Sequence, residues 1–293
     1  MLILISDAFD PSLPDRLASF GEVTDDKSRV AEAEVVLIRS KTKCTREYID
    51  SAPKLKMIIR GGVGLDNVDR AYASQRGIIV DNTPEASSVA VAELAMALML
   101  ASVNHVVAAH TGMAQGKWLK KELKRSELYR KTLGLIGIGR IGGEVAVRAR
   151  AFGMEVVAHD ANIDSSVIAD VMPLDQVLAR ADFISLHTPL TDETREMINA
   201  DTIAKMKRGV IVVNTARGGC VDEAAMAKAL ETGQVRCYAT DVWSSDPPPA
   251  DCPLLGAPNM LMAPHIGASS KENLLRIGDL VVEKITNYVN KTK

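Results

Sequence analysis

Residues 132–153, TLGLIGIGRIGGEVAVRARAFG, decide the fold. An apolar run typical of a buried strand leads into three glycines spaced G-x-G-x-x-G, and a helical pattern follows them. Gly137 permits a tight turn, Gly139 lets a pyrophosphate approach the backbone, and Gly142 lets the helix pack on its strand. The free N–H groups and positive dipole end of that helix suit phosphate oxygens. The stretch therefore predicts a dinucleotide-binding βαβ unit.

The next predicted strand, EVVAHD, ends in Asp160, which lies 160 − 142 = 18 residues after the last glycine of the motif. This is close to the spacing expected of the acid that binds a ribose. A carboxylate there accepts from the ribose hydroxyls and repels a 2′-phosphate. NAD, and not NADP, is therefore the predicted cofactor.

Short apolar runs alternate with helical patterns along the whole chain. The predicted strands cover residues 2–6, 35–38, 56–60 and 78–80, and then 132–137, 155–160, 182–187, 210–215, 235–243 and 260–264. Apolar strands separated by helices indicate parallel sheets covered on both faces. Two long helices, from about Pro84 to His110 and from about Ser270 to the C-terminus, are predicted to join the halves. If the last helix packs on the first half, the domains are 1–83 plus 269–293 for substrate and 84–268 for NAD.

Composition excludes several classes of function. The chain has 293 residues with a net charge of 35 − 37 = −2, and 47% of them are hydrophobic, which suits two globular domains and gives no sign of nucleic-acid binding. The four cysteines form no C-x-x-C pair, so we expect neither disulfides nor a metal site. The N-terminus lacks the features of a signal peptide. The alanine-rich stretch 89–109 contains polar residues and favours a buried helix over a membrane span, so the cytoplasm is the expected compartment.

Polar residues follow several of the predicted strands in the second half. Arg217 comes after VIVVNT, Asp241 and Asp246 come at and after the end of VRCYATDVW, and His265 comes after MLMAP. The carboxyl ends of parallel strands are where open α/β sheets bind ligands. An arginine there can hold a carboxylate or polarise a carbonyl, and a histidine beside a carboxylate can deliver a proton. This set suits the reduction of a 2-keto acid.

In the first half, Arg60-Gly-Gly-Val-Gly64 follows the predicted strand KMII. Glycines in this position expose backbone N–H groups that suit a small carboxylate. A plain turn leading into a helix capped by Asp66 or Asn67 is an equally good interpretation from the spacing.

Taken together, seven motifs resemble the D-isomer-specific 2-hydroxyacid dehydrogenase family: RGGVGLDNVD, DNTPEASSVAVAEL, TLGLIGIGRIGGEVA, LHTPLTDETREMIN, VNTARGG, DVWSSDPPP and APHIGAS. The resemblance implies an α/β fold of two Rossmann-like or flavodoxin-like doubly wound domains, with NAD and the active site in the cleft between them, and a homodimer. It implies a catalytic set of Arg217, Asp246 and His265. It implies cofactor contacts from Gly137, Gly139, Arg140, Ile141, Gly142, Asp160, His187, Thr188, Pro189, Thr215, Ala216, Asp241 and His265. The substrate, a small 2-keto or 2-hydroxy acid, would be bound by Arg39, Arg60, Gly61, Gly62, Val63, Gly64, Arg217 and His265.

One position departs from the family pattern. Asp246 stands where the family usually has glutamate, so either its loop moves in or its pairing with His265 is looser.

Within the family, the resemblance is strongest to the phosphoglycerate dehydrogenases, in a short form without a C-terminal regulatory domain. Arg39 and Arg60, both at strand ends, would then clamp the substrate phosphate. The alternatives are a glyoxylate or hydroxypyruvate reductase and, from another class, an NAD-sensing binding protein without catalysis.

Overall fold

The computed structural model describes residues 1–292. The chain forms two compact units: Met1–Ala90 together with the chain from Ala268 onward, and Val91–Gly267. The first boundary falls inside a helix, Ser88–Asn104, and not at the turn before it, where the sequence predicted the domain boundary.

The first unit contains a five-stranded parallel sheet in the order β2-β1-β3-β4-β5, which is the flavodoxin-like order. Its strands are β1 Leu2–Ile5, β2 Glu22–Thr24, β3 Val35–Ile38, β4 Met57–Arg60 and β5 Ile79–Asn82. Its helices are α1 Leu13–Leu17, α2 Arg46–Asp50, α3 Arg70–Gln75 and α10 Lys271–Thr292. The sequence did not predict β2, a half-exposed edge strand of three residues that lacks an apolar run.

Helix α10 packs on this sheet, which is the condition that the sequence analysis left open. Ile277, Val281 and Ile285 recur every four residues along one helical face, and all three are fully buried. They join Ile3 and Leu13 in one of the two hydrophobic clusters of this unit. The carboxyl-terminal part of the chain thus completes the core of the unit that the amino-terminal part begins.

The second unit contains a seven-stranded parallel sheet in the order β12-β11-β10-β9-β6-β7-β8. Its strands are β6 Thr132–Ile136, β7 Glu155–His159, β8 Asp170–Val171, β9 Phe183–Leu186, β10 Val210–Asn214, β11 Val235–Thr240 and β12 Met260–Met262. Its helices α6 Arg140–Ala151, α7 Leu174–Arg180, α8 Ala200–Ala204 and α9 Glu223–Thr232 follow α4 Ser88–Asn104 and α5 Val106–Ala114. The strand order reverses between β6 and β9, as in a Rossmann fold, and such a reversal is where these sheets bind ligands. The predicted α/β class of two doubly wound parallel sheets is confirmed.

The predicted continuous helix from Pro84 to His110 is wrong. The chain instead forms α4 and α5, and His105 between them takes a left-handed backbone conformation with φ 53°. An ordinary side chain in that conformation ends a right-handed helix. The axes of α4 and α5 differ in direction by 61°. Among the described residues, no single helix has the length and apolar character of a membrane span, and this pair has them only when both helices are counted together.

Candidate active site

The turn between β6 and α6 has the geometry that phosphate binding needs. Gly137 has φ +93°, and a Cβ on it would lie 2.8 Å from the carbonyl oxygen of His187. A Cβ on Gly142 would lie 2.2 Å from the carbonyl oxygen of Gly137, whereas a Cβ on Gly139 would meet no atom within 4 Å. Helix α6 begins at Arg140 without a side-chain cap from Gly139, and the positive end of its dipole suits an anion. The open space and the donors fit the pyrophosphate of the predicted cofactor.

Asp160, just after β7, lies against this turn. Its Oδ2 accepts a hydrogen bond from the Ile138 N–H at 2.9 Å, and its Oδ1 accepts one from the Asn162 N–H at 2.9 Å. Each carboxylate oxygen retains a further lone pair. The side chain can therefore brace the glycine turn and still accept from the hydroxyls of a ribose.

His187 follows β9 and is anchored by its backbone N–H, which donates to the Ile136 carbonyl at 2.8 Å. Its Nε2 lies 2.9 Å from Ser185 Oγ, while its Nδ1 is buried without a hydrogen-bond partner among the residues described. This burial lowers the pKa of His187 to about 3, so the ring is neutral near pH 7. A neutral imidazole is a poor proton donor. Thr188 and Pro189, also predicted to contact the cofactor, continue the same loop.

Arg217 lies on the loop after β10, and an asparagine that the sequence did not single out organises that loop. Asn214, fully buried, donates through Nδ2 to the Arg217 carbonyl at 2.9 Å and to the Tyr238 hydroxyl at 3.1 Å. Its Oδ1 accepts from the Ala216 N–H at 3.0 Å. The sequence feature that could have identified Asn214 is its position at the end of an apolar strand, because a buried amide side chain must find hydrogen-bond partners. The Thr215 hydroxyl is buried, and within the described chain it has no hydrogen-bond partner.

Asp241 is buried just beyond β11, and its carboxylate holds the turn that carries His265. Oδ1 accepts from the Ile266 N–H at 2.8 Å and Oδ2 from the Gly267 N–H at 2.7 Å. Burial raises the pKa of Asp241, and the two N–H donors oppose that rise. Asp241, predicted to contact the cofactor, thus also fixes the backbone directly after His265.

His265 has a left-handed backbone, with φ 56°, and its ring pairs with Asp246. Nδ1 forms a hydrogen bond with Asp246 Oδ2, although this aspartate is shorter than the family's glutamate. The aspartate is therefore long enough to bond the ring in this chain. The bond to Nδ1 leaves Nε2 for a ligand. Arg217, Asp246 and His265 follow the neighbouring strands β10, β11 and β12, at one edge of the sheet.

The first unit contains the predicted glycine loop, Arg60 to Gly64. The Gly61 N–H donates to the Ile38 carbonyl at 2.8 Å, and the Gly62 N–H donates to Thr83 Oγ1 at 2.8 Å. Gly62 has φ +142°, and a Cβ on it would lie 1.9 Å from Arg60 Nη1. Only glycine permits the guanidinium to lie this close to the loop backbone.

Arg39 lies after β3, beside the point where the strand order of the first unit reverses. Its Nη1 donates to the Ala8 carbonyl at 3.3 Å and its Nη2 to the Ala268 carbonyl at 2.8 Å. Its Nε is buried and has no hydrogen-bond partner within residues 1–292. The Arg39 backbone N–H donates to Asp7 Oδ2 at 2.6 Å. The guanidinium therefore braces the backbone, and its Nε–H is a buried donor without an acceptor among the described residues.

Comparison with known proteins adds to this geometry. Residues 96–267 match the model of the D-isomer specific 2-hydroxyacid dehydrogenase, NAD binding domain. A hydroxypyruvate reductase of Thermotoga maritima is 48% identical over 259 residues, which are 87% of this chain and 85% of that protein. A D-3-phosphoglycerate dehydrogenase of Methanocaldococcus jannaschii is 46% identical over 262 residues, 88% of this chain and 50% of that protein. The chain thus spans about half the length of the phosphoglycerate dehydrogenase.

Among solved structures, the D-lactate dehydrogenase of Aquifex aeolicus, complexed with NAD and lactic acid, superimposes with a TM-score of 0.89. It is 29% identical in sequence, and the match covers 99% of this chain and 96% of that chain. The likeness therefore extends over both compact units.

Proposed function

The chain belongs to the D-isomer-specific 2-hydroxyacid dehydrogenase family, with NAD as its cofactor, and from this premise we propose that it interconverts 3-phosphoglycerate and 3-phosphohydroxypyruvate. The observation that supports a dehydrogenase reaction, as opposed to NAD sensing, is the hydrogen bond between Asp246 and His265, on loops of the same sheet whose β6 leads into the glycine turn. A protein that only sensed NAD would need no such pair.

Each residue of the pair has a definite task in the proposal. NAD, when bound, accepts or supplies the hydride. His265, oriented by Asp246 through Nδ1, uses Nε2 to give a proton to the substrate oxygen in reduction and to take it back in oxidation. His187 does not replace it, because its buried ring stays neutral.

Cations hold the substrate in this proposal. Arg217 binds the carboxylate or polarises the carbonyl. The backbone N–H groups of Val63 and Gly64 bind the carboxylate, because those of Gly61 and Gly62 already donate to Ile38 and Thr83. Arg60, at the end of β4, and Arg39, at the end of β3, bind the phosphate. The buried Nε of Arg39 supports this role, since a buried donor gains most from an anionic acceptor.

Hydroxypyruvate is the second candidate substrate, and a specific observation favours it. Both terminal nitrogens of Arg39 already donate to backbone carbonyls, of Ala8 and Ala268. An arginine that only braces the backbone would leave the site without the second cation that a phosphate dianion requires. The first unit would then suit an unphosphorylated keto acid.

The deciding experiment compares kcat/KM for 3-phosphohydroxypyruvate, hydroxypyruvate and glyoxylate with NADH as the reductant. A preference for the phosphorylated acid supports the first proposal, and a preference for hydroxypyruvate supports the second. If the protein bound NADH but turned over none of the three, the dehydrogenase proposal would fail and a binding function would take its place.

We further propose that the enzyme is a cytoplasmic homodimer. Val106, Val107 and Met113 on α5 are each more than half exposed, which is unusual for large apolar side chains on one helix. All four cysteines are free of disulfides, as is usual for proteins of a reducing compartment. Light scattering tests the dimer: Val107→Lys should yield monomers, whereas Val167→Lys, at an equally apolar but isolated and exposed position, should not.

A further inference from the structure

Trp243 connects the loops that carry the three residues predicted to be catalytic. It lies three residues before Asp246, and its indole Nε1–H donates to the Ala263 carbonyl at 3.1 Å, two residues before His265. Its ring is partly buried against the hydrophobic cluster that contains Cys220. One side chain thus joins the loop after β11 to the loop after β12.

The backbone of Trp243 makes the third connection. A Cβ on Gly218, the residue after Arg217, would lie 2.0 Å from the carbonyl carbon of Trp243. The two backbones are therefore in direct contact, and only glycine permits it. The Ser244 N–H, which follows, donates to Glu223 Oε1 at 3.3 Å, at the first turn of α9.

The contact between the two loops explains how the short side chain of Asp246 extends as far as His265. An aspartate side chain is shorter than a glutamate by one C–C bond, about 1.5 Å. Asp246 nevertheless bonds His265 Nδ1, so the two loops must lie closer together than a glutamate would require. The indole hydrogen bond to Ala263 draws together the same two loops.

We propose that Trp243 is a positioning residue, whose indole N–H holds the Asp246 loop close enough for the short carboxylate to orient His265. The inference rests on the proposed function, because Trp243 would act through the proton-transferring ring and not on the substrate. The backbone contact of Trp243 with Gly218 also fixes the position of the loop that carries Arg217. A longer carboxylate at position 246 would make the indole bond unnecessary.

The test compares Trp243→Phe, Asp246→Glu and the double variant. Trp243→Phe keeps an aromatic ring but loses the N–H, so kcat should fall about five- to tenfold, as for one lost hydrogen bond, while KM for NADH stays unchanged. Asp246→Glu should restore most of that loss in the double variant. Trp118→Phe is the matched control, because the indole of this largely exposed tryptophan makes no hydrogen bond in the described part of the chain. The Trp118→Phe variant should have the activity of the unmodified enzyme. Additive losses in the double variant, or full activity of Trp243→Phe, would overturn the proposal.

A second measurement does not depend on turnover. The chain has two tryptophans, so its NMR spectrum contains two indole N–H signals, which Trp118→Phe assigns. The Trp243 signal should exchange with solvent deuterium much more slowly than the Trp118 signal. Equally fast exchange would overturn the proposal even in an active enzyme, whereas slow exchange in a protein without keto-acid reduction would overturn only the proposed function.

Discussion

Asp246 Oδ2 and His265 Nδ1 are joined by a hydrogen bond between two loops that follow neighbouring strands. In the proposed reaction the bond fixes which ring nitrogen would face the substrate, because Nδ1 is used by the carboxylate and Nε2 remains. The bond also forms without the longer glutamate side chain that the family usually has at position 246. Aspartate is therefore long enough to orient His265 as the proposed reaction requires.

His265 is the first residue to test. In His265→Ala, kcat should fall by about 10²- to 10⁴-fold, the usual range for loss of a general acid. Binding of NADH, measured by fluorescence titration, should barely change, because most of the predicted cofactor contacts, the glycine turn and Asp160 among them, lie on other loops. Near-normal turnover would remove His265 from the mechanism.

Asp246→Asn should lower kcat without altering NADH binding. The amide is neutral and no longer stabilises a charged imidazole, so a loss of about tenfold is expected for one charge-assisted hydrogen bond. Asp251→Asn, which changes an exposed carboxylate nearby in the sequence, is the matched control. Equal kcat values for the two variants would show that Asp246 does not act on His265.

Asp160 is predicted to discriminate between the two nicotinamide cofactors. Asp160→Ala should raise KM for NADH and reduce the preference for NADH over NADPH, because the carboxylate that repels the 2′-phosphate is gone. Asp160→Asn separates the two roles of the residue, since its oxygen still accepts from the Ile138 N–H while its charge is lost. An unmodified enzyme with equal kcat/KM for NADH and NADPH would contradict the role of Asp160.

Arg39 and Arg60 should affect phosphorylated and unphosphorylated substrates differently. Arg60→Ala should raise KM for 3-phosphohydroxypyruvate by about 10- to 100-fold and KM for hydroxypyruvate much less, because a charged hydrogen bond contributes roughly 1.5–3 kcal/mol. Arg39→Ala should have the same selectivity but also lower the melting temperature, since Arg39 braces Ala8 and Ala268. Equal losses on both substrates would favour hydroxypyruvate.

His187 makes stability depend on pH. Its pKa of about 3 in the folded chain lies below its ordinary value of 6.5, so the unfolded chain binds the proton more readily. The stability from keeping the ring neutral is complete above pH 6.5 and decreases as the pH falls towards 3. Between about pH 6.5 and pH 5 the loss should reach at most about 2 kcal/mol.

Urea unfolding of His187→Gln checks this dependence. The variant should lose less stability than the unmodified protein over that pH range, because glutamine does not titrate. His110→Gln, at an exposed position on α5, should follow the unmodified protein. Parallel stability curves for all three proteins would contradict the buried, neutral state of His187.

The sequence alone predicted the elements that depend on nearby residues. The glycine spacing from Gly137 to Gly142 predicted the turn and helix, because Gly137 and Gly142 meet backbone within the motif or the next loop, while Gly139 borders open space. Apolar runs predicted ten of the twelve strands that residues 1–292 form, and the two that were missed, β2 and β8, are short and partly exposed. The helix break at His105 was missed because a left-handed residue in an apolar stretch has no periodicity of its own.

For the site, the sequence determined which chemical groups follow the strands, namely Arg217, Asp246 and His265. Parallel strands bring their carboxyl ends to one edge of the sheet, so the sequence also placed these groups on the same side. Their partners were decided only by the tertiary structure. Arg39 donates to a carbonyl 229 residues away, and Trp243 donates to one 20 residues away on another loop. Backbone carbonyls occur at every residue and leave no mark in the sequence, so which of them a buried donor meets is settled only when the elements pack.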